Sequence, residues 1–109
     1  MNIKIDIKET EKYTKVNVAG EIDAYTAPKL RETVTPHAEQ ENAKLVIDLS
    51  EVEYMDSTGL GVFVGLFKSL NAKGGSLQLV GLSERLQRLF DITGLADIMN
   101  INTEVEGGV

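Results

Sequence analysis

The sequence predicts an α/β domain, a mixed β-sheet with helices packed on it, in the order β-β-α-β-α-β-α plus a short C-terminal element. Three observations carry this expectation. The chain opens with two segments that alternate polar and apolar residues. A solidly apolar, β-branched stretch, Leu45-Val46-Ile47-Asp48-Leu49, follows in the middle. Segments of helical period stand between and after these, bounded by glycine, proline and capping residues.

Ile3, Ile5 and Ile7 alternate with Lys4, Asp6 and Lys8, and Val16 and Val18 repeat the pattern beyond the polar turn Glu9 to Lys12, so the two strands should pair as a hairpin. Gly20-Glu21-Ile22-Asp23 ends the second. Thr26 reads as a helix N-cap with Pro28 in the first turn, where its missing N–H is harmless. Ala27, Leu30, Val34 and Ala38 then form one apolar stripe. Pro36 predicts a kink or early stop there, leaving His37 to Glu41 outside the helix. Leu45 to Leu49 reads as a central strand covered on both faces, which calls for helices on both sides of the sheet. A helix over Leu60 to Ala72 is stopped by Gly74-Gly75, and a short strand follows over Leu77 to Val80. Ser83 caps the next helix, which offers Leu86, Leu89 and Phe90 to the core and closes at Gly94. Leu95, Ile98 and Ile101 suggest one more short element, and the tail Glu104 to Val109 is expected to fray.

With 109 residues, 42% of them hydrophobic, the chain should form one domain over residues 1–109. Its net charge of -6 argues against binding nucleic acid and favours a basic protein surface as partner. The absence of cysteine excludes disulfides, thiol catalysis and thiolate metal sites, and His37 is the only histidine. No stretch reads as a signal peptide or membrane span, so a cytoplasmic protein with no membrane partner is expected. Neither a metal nor another cofactor is expected.

The stretch Met55-Asp56-Ser57-Thr58-Gly59-Leu60-Gly61, a polar turn between an apolar strand and an apolar helix, is where function is expected. Asp, Ser and Thr can cap a helix start, and that helix end tolerates or attracts an anion. From the residues alone, Ser57 reads first as a helix cap. A serine nucleophile is disfavoured, because the segment is not Gly-x-Ser-x-Gly and His37 lies on a surface helix. Gly59, Gly61 and Gly65 weakly suggest nucleotide binding, but no Gly-Lys-Ser/Thr follows; close approach of Gly61 and Gly65 to the sheet is the preferred reading. Asp23, Asp48 and Asp56 suggest a receiver-like phospho-aspartate site as a minor alternative, lacking the acidic pair after the first strand. Leu60, Phe63, Val64, Phe67 and Leu70 form the core stripe of the helix, while Val62 and Leu66 widen it, to be covered by neighbouring elements or by a partner.

Gly20-Glu21-Ile22-Asp23, Tyr54 to Gly61 and Arg88-Leu89-Phe90-Asp91-Ile92-Thr93-Gly94 together resemble the anti-sigma factor antagonists of the STAS-domain family, almost end to end. The resemblance implies a partner switch and no enzymatic activity. In that family the serine at the position of Ser57 is phosphorylated by an anti-sigma factor that is also a serine kinase, and a PP2C-type phosphatase reverses it. By the same resemblance the unmodified protein is expected to bind the anti-sigma factor and free the sigma factor to activate stress-response transcription. Carried over, Ser57 is the phosphoacceptor, Asp23 and Asp56 line its surroundings, and Thr58, Gly59 and Gly61 shape the contacted helix start. Leu66 is expected on the partner-facing edge.

Overall fold

In the computed structural model, which describes residues 2–102, the two alternating segments do pair as an antiparallel hairpin. β1 (Ile3–Glu9) lies against β2 (Thr14–Ile22), with Ile3 opposite Gly20 and Glu9 opposite Thr14. The expected fraying of Glu104 to Val109 lies outside the described residues. β3 (Lys44–Met55), β4 (Ser76–Val80) and β5 (Asn100–Asn102) add in parallel, giving a mixed sheet of order β1-β2-β3-β4-β5. Helices α1 (Ala27–Ala38), α2 (Ser57–Ala72) and α3 (Glu84–Ile92) connect the parallel strands. A 3-10 turn, Leu95–Asp97, precedes β5.

This strand order decides where the helices go. Each crossover steps to the next neighbour in the same direction, and right-handed crossovers in one direction put every helix on one face. α1 packs on α2, and Phe63 of α2 meets Phe90 of α3 edge-on with ring centroids 6.3 Å apart. Helices on both faces are therefore not what forms. Leu45, Ile47 and Leu49 point into the helix-covered core, which also holds Leu30, Phe63, Leu70 and Phe90. Val46 and Asp48 lie outside that core, buried on the opposite face between neighbouring strands; Lys15 Nζ reaches Asp48 Oδ2 at 3.7 Å.

β3 is longer than Leu45 to Leu49. It continues to Met55, and two register shifts against β2 rephase it. After Leu49 the inward residues are Val52 and Met55, three apart instead of two, so the polar intervening residues hide the strand from simple alternation. Pro36 also fails to end α1, which runs through His37 to Ala38. Pro36 and Glu32 are both exposed to some degree, so the carbonyl that loses its N–H partner can turn to water, while burial of Val34 and Ala38 holds the last turn down. No helix among the described residues is long and apolar enough to cross a membrane.

Candidate functional site

Only Asp56 separates the end of β3 from the start of α2. Its backbone is extended, which lets its carboxylate turn back over the helix start: Oδ1 accepts from Thr58 N–H at 2.9 Å and Gly59 N–H at 3.3 Å. Asp56 is thus the N-cap, and the reading of Ser57 as the cap is corrected. Ser57 is the first helical residue, exposed, and its hydroxyl makes no hydrogen bond among the described residues. Asp56→Ala should accordingly cost about 1 kcal/mol of stability and Ser57→Ala less than about 0.5. Urea denaturation of both variants checks this; the reverse order would return the cap to Ser57.

Gly59 explains how the turn docks. A Cβ there would lie 2.7 Å from Ile22 Cγ2 and 2.8 Å from Met55 Cγ, so only glycine lets α2 start against the end of β2. Asp56 N–H donates to Ile22 O at 3.2 Å in the same place. Gly61 and Gly65, by contrast, are exposed, and a Cβ added at either would meet nothing within 4 Å, so they do not serve close approach to the sheet. Thr58 is exposed beside Ser57.

The contact at Ile22 brings the next residue, Asp23, beside the turn. Asp23 is 7% exposed, and its Oδ1 accepts from Tyr25 N–H at 2.9 Å and Thr26 N–H at 3.0 Å. Thr26 begins α1 as expected, but its hydroxyl caps no helical N–H; it accepts from Asp23 N–H and donates to Glu21 O, locking the loop. Glu21, Asp23, Ala24, Tyr25, Tyr54 and Asp56 line one open depression. Its three carboxylates have no Lys, Arg or His within 4 Å among the described residues. Tyr25 is 85% exposed and Tyr54 46%. Tyr25 has no part in the sequence reading, and Tyr54 enters it only as the first residue of the Tyr54 to Gly61 stretch. Their signal is weak: two aromatic residues flanking acidic loop positions, on no apolar stripe.

Other sequence candidates fall elsewhere. Leu66 is 2% exposed and part of the core, with Val62 beside it at 3%, so neighbouring elements cover both and Leu66 offers no partner-facing edge. His37 Nδ1 lies 3.1 Å from Glu9 Oε2 at the far end of α1, roughly 15 Å along the helix from its start at the Asp23 loop, so it is no base for Ser57. Asp48 sits on the helix-free face and accepts from Ser50 N–H, apart from Asp23 and Asp56. Among the described residues no cluster of three metal-ligating side chains occurs. The geometry can do one thing well: offer an exposed hydroxyl on a shaped acidic and aromatic surface.

Comparison with known proteins identifies the family of the whole chain. The STAS domain family matches residues 4–108. The anti-sigma-B factor antagonist of Bacillus subtilis (strain 168) is 62% identical over 109 residues, covering 100% of this chain and 99% of that protein. The protein of the same name from Listeria monocytogenes is 58% identical over 108 residues, covering 98% and 94%. An anti-sigma factor antagonist from Mycobacterium paratuberculosis, solved by crystallography, superposes with a TM-score of 0.84 at 28% identity, covering 96% of this chain and 89% of that one.

Proposed function

From the premise that the chain belongs to the STAS-domain family, we propose that it is an anti-sigma factor antagonist working as a phosphorylation-controlled partner switch in the cytoplasm. The unphosphorylated protein docks the start of α2 and the Asp23 loop on an anti-sigma factor that is also a serine kinase, which releases the sigma factor for stress-response transcription. In the kinase reaction the Ser57 hydroxyl oxygen forms a bond to the γ-phosphorus of ATP, its proton is lost and ADP leaves. A PP2C-type phosphatase hydrolyses that bond and returns inorganic phosphate. The role is binding, with no catalysis by this chain.

The observation that carries the reading is the exposed, uncommitted hydroxyl of Ser57 at the first position of α2. The Thr58 and Gly59 amides are already bonded to Asp56, so they do not reach out to cradle a phosphate. Added charge of about -1.5 to -2 stands instead next to the Asp56 carboxylate, at a helix end whose dipole keeps the fold intact. Its effect falls on docking. The direct test incubates the purified protein with the kinase and ATP and maps the modification by intact-mass and peptide analysis; phosphate on another residue, or none, refutes the assignment of Ser57.

The helix face beyond Ser57 supports the same surface. Gly61 is exposed and a Cβ there would meet nothing within 4 Å, so glycine lowers helix stability by about 0.5–1 kcal/mol with no close approach in the isolated chain that requires it. A partner lying close over the first turns of α2 accounts for it. Gly61→Ala should raise stability by about that amount, and Gly61→Gln should fold equally well yet weaken kinase binding by about tenfold or more. Titration calorimetry with the kinase checks the second half; wild-type affinity for Gly61→Gln would remove this face from the interface.

A further inference from the structure

β1 is an edge strand with an unfinished flank. Ile3, Ile5 and Ile7 are each only partly buried against the core, because α1 packs over β2 and β3 and leaves the outermost strand half covered. On the other face Lys4, Asp6 and Lys8 are exposed, and neither Lys4 nor Asp6 has an ion-pair partner within 4 Å among the described residues. Over the described residues the opposite sheet edge, Asn100–Asn102, is shorter than β1.

We propose that this edge pairs with the same edge of a second copy of the chain, antiparallel about a two-fold axis through Ile5. In that register Ile3 stands opposite the second copy's Ile7, Ile5 opposite its own equivalent, and Lys4 opposite Asp6, twice by symmetry. The isoleucines extend the apolar face and the opposite charges meet on the polar one. Neighbouring registers fail. Shifting the sum of the paired positions by two sets Lys4 against Lys4 in one direction and Asp6 against Asp6, with Lys4 against Lys8, in the other. Odd shifts put isoleucine opposite a charge and mismatch the faces. Centring on Ile7 would pair Asp6 with Lys8 but set Ile5 against Glu9, so only the Ile5-centred register matches all three isoleucines together with opposite charges on an edge whose lysines otherwise discourage strand addition. The pairing leaves the Ser57 surface free, so it stands apart from the proposed function.

Such an edge buries less area than a standard interface, so the dimer is weak and concentration-dependent. Sedimentation equilibrium of the full chain from about 10 μM to 1 mM should show reversible self-association to a dimer. Asp6→Lys should weaken it by about tenfold or more, since two pairs become like-charged together, and Lys4→Asp/Asp6→Lys should restore it to within about threefold. Lys4 and Asp6 are exposed, and denaturation curves verify that the variants fold. A monomer across the whole range overturns the proposal, as does a dimer indifferent to Asp6→Lys or unrescued by the double exchange.

Discussion

Phosphorylation of Ser57 should weaken binding to the anti-sigma factor kinase more than a hundredfold, a loss of about 3 kcal/mol, while leaving the domain folded. Ser57→Asp should move affinity the same way by about tenfold, since a carboxylate carries less charge and bulk than a phosphate. Ser57→Ala should bind as wild type does and resist modification. The reason lies in what surrounds the hydroxyl: Asp56 stands next to it, Asp23 and Glu21 share the adjoining depression, and no cation lies within 4 Å of those three carboxylates among the described residues. New negative charge is uncompensated within the chain and must be met by a partner shaped for the unmodified surface. Because Asp56 and not Ser57 caps α2, stability and binding separate cleanly. Titrating wild type, the phosphorylated protein and both variants against the kinase with ADP present, alongside urea denaturation, makes the measurement. Equal affinity for the wild type and phosphorylated forms, both folded, would end the switch mechanism.

Phe63→Ala should cost about 3–5 kcal/mol, a large share of the stability of a domain this size. Phe63 is fully buried and packs edge-on against Phe90, so its loss opens a cavity where α2 and α3 meet over the sheet. Leu66→Ala should cost about 2–5 kcal/mol by the same mechanism. This result decides the place of Leu66 in function as well. Were Leu66 a docking residue, its truncation would spare stability and reduce kinase binding; buried in the core, it should reduce stability while the folded fraction binds normally. Chemical denaturation paired with titration well below the unfolding midpoint distinguishes the two.

Much of the architecture was legible in the chain because its signals are local. Alternation at Ile3, Ile5 and Ile7 depends only on the pleat of the strand, and the Ser83 cap, whose Oγ accepts from Leu86 N–H, depends only on residues three apart. Gly94 ends α3 with φ +81, as glycine after a helix commonly does. The stretch around Ser57 could be located because a polar turn rich in small residues stood between two apolar runs.

What the tertiary structure decided is coverage and competition. Periodicity says that Leu66 and Val62 are apolar and where they fall on α2, but whether a neighbour covers them depends on the sheet order that stacks α1 beside α2. The same order put the helices on one face, which an apolar central strand could not reveal, since Val46 and Asp48 are buried there by flanking strands. Pro36 stayed inside α1 because packing of Val34 and Ala38 outweighed the lost hydrogen bond. Asp56 and Ser57 both had the chemistry to cap α2, and the extended backbone of Asp56 gave the amides to its carboxylate. Asp23 and Asp56 lie far apart in sequence, and they share one surface because Gly59 lets α2 start against Ile22.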